Sequence, residues 1–286
     1  MNTERLVDLH VHTTASDGTY TPSEVVRLAS DAGLSAIAVT DHDTVLGYAE
    51  AAAAGTQYGI EVIPGIEIST RYQVAVHILG YYVNPESEAM NEVLNWIVQN
   101  RDNRNRKVCA LMQADGLPVY YEKMKARFGD VVGRPHFASV LVELGLAKNV
   151  QDAFARFVEK GQKYYLPRTF LPIEHSVEII AEAGGLPVLA HPFQYRLDDP
   201  SLRGLIEHCM EYGLVGMECF YTGYTGDQSA YLCRLAEEYG LLRTGGSDFH
   251  GQNKPHIQLG SGSGSLAVPY ELLEPLKRRA GIPIGD

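Results

Sequence analysis

Five times the chain runs from the tail of a helix through glycine into a short apolar stretch: DAGLSAIAVTDH (31 to 42), QYGIEVIPGIE (57 to 67), EAGGLPVLAH (182 to 191), EYGLVGMECF (211 to 220) and EYGLLRTGGSDFH (238 to 250). The glycine suits the left-handed residue that closes a helix. The runs that follow are continuously apolar rather than alternating, as required of strands in a parallel sheet covered on both faces. Helix-like segments precede or follow them at 22 to 32, 47 to 58, 173 to 183, 199 to 212 and 227 to 239, the first opened by Thr21-Pro22. This is βα repetition, and it restricts the chain to a barrel or an open doubly wound sheet.

Strands are expected near 5 to 11, 36 to 41, 61 to 68, 74 to 82, 186 to 190, 215 to 220 and 242 to 247. Seven strands are one short of a full (β/α)8 barrel, so we expect an α/β fold of the distorted (β/α)7 barrel kind. The rhythm breaks between 86 and 170, a helix-rich stretch containing WIVQNRDNRNRKVCALMQADG and GRPHFASVLVELGL. We read 1–85 and 171–286 as the barrel and 86–170 as an inserted helical subdomain. GSGSGS (260 to 265) is expected as a surface loop before a last helix near 269 to 280.

The 286 residues are 45% hydrophobic and 21% charged, ordinary for a globular protein. No apolar run approaches the roughly 20 residues that span a bilayer, and MNTERLVDLH lacks the order of a signal peptide, so a cytoplasmic location is expected. Cys109, Cys209, Cys219 and Cys233 form no C-x-x-C pair and are expected as buried thiols. A net charge of −11 argues against a broad surface for long DNA.

Histidines carry the functional signal. Of ten, six are placed at or just beyond strand ends: His10, His12, His42, His77, His191 and His250. That rim is where α/β barrels build their sites. Asp17, Asp41, Asp43, Glu67 and Asp248 share it, and alternation puts His10 and His12 on one face of a strand. Imidazoles mixed with carboxylates, without thiolates, suit Zn²⁺, Mn²⁺ or Fe²⁺ rather than a closed structural zinc. Even without Asp41 and Asp43, nine donors exceed one ion and fit two or three.

DLHVHTTASDG, TDHD, PGIEIS, VHILGY, LAHP and GGSDFHG, in that order over residues 8 to 251, resemble the motifs of the polymerase and histidinol phosphatase (PHP) family of phosphoesterases. The resemblance implies a distorted seven-stranded barrel with two or three divalent ions, manganese foremost, iron or zinc otherwise. Carried over motif by motif, it implies that His10, His12, Glu67 and Asp248 hold one ion. Glu67 would bridge to a second held by His77 and His191, and Asp17, His42 and His250 would hold a third. Asp41 is expected to orient a histidine and Asp43 to cap the following helix. His208 and His256 match no motif and His175 lies inside the helix-like PIEHSVEII; each is expected as a surface or structural residue.

Within the insertion, RDNRNRK (101 to 107) supplies Arg101, Asp102, Asn103, Arg104 and Asn105 as candidate contacts to phosphate, ribose or base. GRPH adds Arg134 and His136 at a helix start. Two anion-reading patches beyond the metals imply a nucleotide with more than one phosphate. The resemblance narrows this to phosphatases of 3',5'-nucleoside bisphosphates such as pAp, or to 5'-3' exoribonucleases acting on short RNA. We expect the first, by metal-hydroxide attack with Asp248 and Arg134 in the catalytic set and His191 or His136 as general acid. A histidinol phosphatase and a non-catalytic nucleotide or metal sensor are the remaining readings. The sensor predicts gaps among the donor positions, and none is found; an amide hydrolase of a related barrel usually carries a Lys on a central strand, and no expected strand contains one.

Overall fold

The computed structural model describes residues 5 to 284. Its barrel strands are β1 (Leu6–Val11), β2 (Ala36–Val39), β3 (Glu61–Arg71) and β4 (Ala75–Tyr81), then β6 (Leu186–Leu189), β7 (Gly216–Tyr221) and β8 (Leu242–Gly246). They pair in the order β1-β2-β3-β4-β6-β7-β8. Just beyond β8 the circle closes on β1: the Asp248 N–H donates to the His10 carbonyl at 2.9 Å, and the His12 N–H donates to Phe249 at 3.0 Å. All seven expected strands form, and the sheet is nearly closed.

The distortion has one source. β4 runs antiparallel to both of its neighbours, pairing Glu67 with Leu79 and Ser69 with His77 on one side and Ile78 with Leu189 on the other. Three residues, 72 to 74, connect β3 to β4, whereas a parallel return needs a crossover of a dozen or more. This corrects the expectation for His77, which lies near the start of its strand and not at the end. Because β4 is inverted, that start falls on the rim where the other strands end.

The helices α1 (Pro22–Asp31), α2 (Tyr48–Tyr58), α7 (Ile173–Glu182), α8 (Asp199–Glu211), α9 (Gly226–Tyr239) and α10 (Leu273–Arg279) surround the sheet. Thr21 caps α1 through a reciprocal pair with Glu24, as its Thr-Pro opening suggests. Val25, Val26 and Ala29 of α1 and Ala51 of α2 close over Ile37 and Val39 of β2, all buried. A two-residue strand, β5 (Leu171–Pro172), adds to the far end of β3, and β9 (Val268–Pro269) runs antiparallel to the start of β1. The GSGSGS loop is half buried: the Gly260 N–H donates to Asp8 at 2.7 Å.

Between β4 and β5 lie α3 (Glu88–Ala114), α4 (Tyr121–Phe128), α5 (Arg134–Glu143) and α6 (Val150–Ala153), followed by a π-helical turn over Phe154–Val158. Val108, Met112, Val119, Met124, Phe137 and Leu141 bury a cluster separate from those of the barrel. We take that separate core as support for reading 86–170 as an inserted subdomain; positions 1–4 and 285–286 of the flanking segments lie outside the described residues. Cys109, Cys209 and Cys219 are buried free thiols, and Cys233 is partly buried. Among the described residues no helix is long and apolar enough to cross a membrane.

Candidate metal centre

Glu67 is the hub. Its position on β3, buried beneath the rim, lets its two oxygens face different partners. Oε2 lies 3.4 Å from Nε2 of His10, 3.3 Å from Nε2 of His12 and 3.0 Å from Nδ1 of His42. Oε1 lies 2.8 Å from Nδ1 of His77 and 3.0 Å from Nε2 of His191. Burial by itself would raise this carboxyl, yet His77, His42 and His10 hold it well below the usual carboxylate range. Oδ1 of Asp248 joins the His10 and His12 side at 3.7 and 3.3 Å.

A second pole forms around Asp17, whose Oδ1 lies 3.2 Å from Nε2 of His250 and 3.9 Å from Nδ1 of His12. Donor atoms of His12, Asp17, His42 and His250 come within 4.8 Å of one another, as do those of His10, His12 and Glu67 and those of His42, Glu67 and His77. All nine donors expected from the sequence therefore converge at one rim. The three-way division is less sharp than expected, because His12 and His42 each belong to two groupings.

Several atoms of this cluster are buried without a hydrogen-bond partner: Nε2 of His10, both ring nitrogens of His12, Oδ1 of Asp17, Nδ1 of His42 and Nδ1 of His191. An unsatisfied buried polar atom costs about 1–3 kcal/mol, so a group of them in one place is explicable when they face a cation. Nitrogen and carboxylate donors, without thiolate, fit divalent ions. Asp43, His191 and Asp248 also hold positive φ (55°, 26° and 57°), a strained backbone that concentrates at functional sites.

The surrounding shell departs from expectation. Asp41 orients no histidine: Oδ1 accepts from the Thr13 N–H at 2.7 Å and the Ser16 hydroxyl at 2.6 Å, and Oδ2 accepts from the Thr13 hydroxyl at 2.7 Å. It thereby shapes the loop that carries Asp17. The carboxylate that orients His10 is Glu218 of β7, which the sequence reading missed; its Oε1 lies 3.1 Å from Nδ1 of His10, and its Oε2 accepts the His191 N–H at 2.8 Å. The signal was present in MECF, a lone carboxylate inside an apolar strand. Asp8 was also missed; it accepts from the Ser247 N–H and hydroxyl at 2.8 and 2.5 Å.

Asp43 does not cap α2, whose first turn has no side-chain cap. Its Oδ1 accepts the Ser69 N–H at 2.8 Å, while Oδ2 pairs with Arg101 and, at 2.9 Å, with Arg168. Arg101, expected to touch substrate, is thus buried and committed to Asp43. Asn105 is also inward, donating to the Val132 carbonyl at 2.8 Å, and Asp102 is taken by Tyr121 and Lys125. Asn103 is exposed. The physical reason is that 101 to 107 lie on one long helix, where seven successive residues point all round the axis.

Arg104 is half-buried, donates to Oδ1 of Asn105 at 2.9 Å and leaves Nε without a partner. Burial first, then the nearby charges of Arg168, Arg101 and Arg134, pushes its guanidinium down to about 9. Arg134, at the exposed start of α5, stacks 5.9 Å over Phe154 and Tyr165. His136 accepts the Gly133 N–H on Nδ1 at 2.9 Å, and burial lowers its ring to about 4. His208, expected as a surface or structural residue, is partly buried against Glu174 at 2.6 Å.

Comparison with known proteins agrees with this geometry. The profile of the PHP domain matches residues 8–171. The chain is 36% identical over 244 residues to the 5'-3' exoribonuclease of Haemophilus influenzae, which covers 85% of this chain and 89% of that protein. It is 33% identical over 248 residues to the 3',5'-nucleoside bisphosphate phosphatase of Chromobacterium violaceum, covering 85% and 87%. A crystal structure from Bifidobacterium adolescentis, provisionally described as a metal-dependent phosphoesterase, matches with a TM-score of 0.85 at 30% identity over 96% of both chains.

Proposed function

The chain belongs to the PHP domain family, and on that premise we propose that it is a metal-dependent phosphoesterase that removes the 3'-phosphate of nucleoside 3',5'-bisphosphates such as pAp. The observation that carries this reading is the arginine surplus beside the centre. Arg101 reaches Asp43, the residue next to His42, and brings Arg104, Arg134 and Arg168 to the same side. Of these four guanidinium groups only Arg101 and Arg168 pair with a carboxylate of the cluster, Asp43, which supports holding a second phosphate there while the first is hydrolysed.

His10, His12, Glu67 and Asp248 would hold one cation, His77 and His191 with Glu67 a second, and Asp17, His42 and His250 a third. Divalent ions there, with manganese the preferred candidate, supply Lewis-acid stabilisation of phosphoryl oxygens and lower the pKa of water. The remaining work belongs to the chain. Glu218 keeps His10 in the tautomer whose Nε2 faces the centre. Arg104 and Arg168 fix the phosphate that stays, and Arg134 neutralises charge developing on the one that leaves. Of the two candidate acids, His191 is itself a proposed ligand, and His136 spends Nδ1 on accepting the Gly133 N–H, so only its Nε2 could carry the proton.

The same charges would hold the 5' end of a short RNA, and the resemblance to the Haemophilus influenzae exoribonuclease favours that second reading. A turnover screen of the manganese-loaded protein against pAp, AMP, short 5'-phosphorylated RNA and histidinol phosphate separates them. Inorganic phosphate released from pAp with AMP left intact is the expected result. Mononucleotides released from RNA at an equal or better rate would replace the phosphatase by the exoribonuclease. Turnover of histidinol phosphate alone would exclude both.

A further inference from the structure

Asp248 makes a contact that neither the donor pattern nor the arginine cluster explains. It turns Oδ1 toward His10, His12 and His250, while Oδ2 accepts from the Tyr221 hydroxyl and from Nζ of Lys254, each at 2.6 Å. Lys254 follows a short 3-10 turn over Gly251–Asn253. That turn is tied to the loop carrying Asp17: the Gln252 N–H donates to Thr19 at 2.9 Å, and the Asn253 amide donates to the Asp17 carbonyl at 2.7 Å. The backbone that carries Lys254 is therefore fixed to the Asp17 loop, and its ammonium reaches Oδ2 of Asp248.

Orientation of Asp248 needs no lysine, because the Tyr221 hydroxyl already fixes the same oxygen. An ammonium beside a metal-ligating carboxylate also works against cation binding, since like charges a few ångströms apart repel. What a lysine at this place does well is meet an anion. It has three N–H bonds, and among the described residues Asp248 is its sole hydrogen-bond acceptor. Its other two N–H bonds have no protein acceptor among the described residues, and its side chain is 35% exposed.

We propose that Lys254 binds the phosphoryl group presented to the metal centre, as a substrate contact separate from the arginines of the insertion. The inference rests on the phosphoesterase reading above. Lys254 reaches the centre through Asp248 and the arginines reach it through Asp43, so a bisphosphate would be gripped at two separate places. Loss of the lysine weakens the phosphate that sits at the metals, and loss of Arg104 or Arg168 weakens the other.

Inorganic phosphate is the probe. Its binding to the manganese-loaded wild type, Lys254→Met and Lys254→Arg is measured by calorimetry, with bound metal counted in each sample. The expected result is full metal content in both variants, phosphate binding weakened about tenfold or more in Lys254→Met, and most of it restored in Lys254→Arg. Unchanged phosphate affinity in Lys254→Met overturns the inference, as does loss of metal from that variant with phosphate affinity per loaded site preserved, which would make the lysine a support for Asp248. If the loaded wild type itself binds no phosphate, the phosphoesterase reading fails first.

Discussion

Glu218 and His10 meet across the barrel with Oε1 and Nδ1 3.1 Å apart, and both side chains are completely buried. The other oxygen of Glu218 holds the backbone of His191 at 2.8 Å, so one carboxylate positions two of the proposed ligands. Partners of this kind typically contribute 10–100-fold to metal affinity. Glu218→Ala is expected to weaken manganese binding by roughly that factor, and Glu218→Gln, which keeps an acceptor for the His191 N–H, by less. Competition against a chelating dye measures it; equal affinity in wild type and Glu218→Ala would remove Glu218 from the centre.

Arg101 ties the insertion to the barrel through Asp43, whose side chain is fully buried. Removing one partner of a buried pair leaves an uncompensated charge, at a cost of about 3 kcal/mol here because Arg168 still faces Asp43. Arg101→Ala should therefore lower the denaturant midpoint strongly, and the double variant Arg101→Met with Asp43→Asn should recover part of the loss. A change in stability below about 0.5 kcal/mol would return Arg101 to the substrate-binding set.

The barrel and the donor set were legible because both are written in local pattern. Continuous apolar strands after helix-closing glycines gave seven strands, and imidazoles and carboxylates beyond them gave the rim. What stayed hidden depended on pairing across the chain. Nothing in TRYQVAVHILGYY announces that β4 is inverted except the shortness of the link before it. Glu218 reads as one polar residue in an apolar strand until closure of β8 on β1 brings His10 within reach of β7. RDNRNRK reads as one patch until a helix turns Arg101 and Asn105 inward and Lys107 outward. Lys254 carries no signal at all apart from following GGSDFHG.

Arg104 and Asp248 should separate in their kinetics. Arg104 sits in the arginine cluster with Nε unpartnered and is proposed to hold the phosphate that is not transferred. Its contact is the same in ground and transition states, so Arg104→Ala is expected to raise KM for pAp roughly tenfold with kcat nearly unchanged. Asp248→Ala removes a proposed ligand and should abolish turnover. An unchanged KM for Arg104→Ala would make the arginine cluster a feature of packing alone.

Gly246 and Gly204 form a contrasting pair for the closure of the barrel. A Cβ at Gly246 would lie 2.4 Å from both Cβ and N of His10 and 2.9 Å from Asp8, so β8 can approach the ligand-bearing strand only without a side chain there. Overpacking of this kind costs about 1–3 kcal/mol, and here the strain falls on His10 itself. Gly204, inside α8, has nothing within 4 Å of its would-be Cβ, and replacing a helix-interior glycine by alanine typically stabilises by about 0.5–1 kcal/mol. Gly246→Ala should therefore lower both the unfolding midpoint and the metal content, while Gly204→Ala raises the midpoint and leaves the metals in place. Retention of full metal content by Gly246→Ala would mean that β1 can shift without disturbing its histidines, contrary to the tight closure at His10 and Asp248.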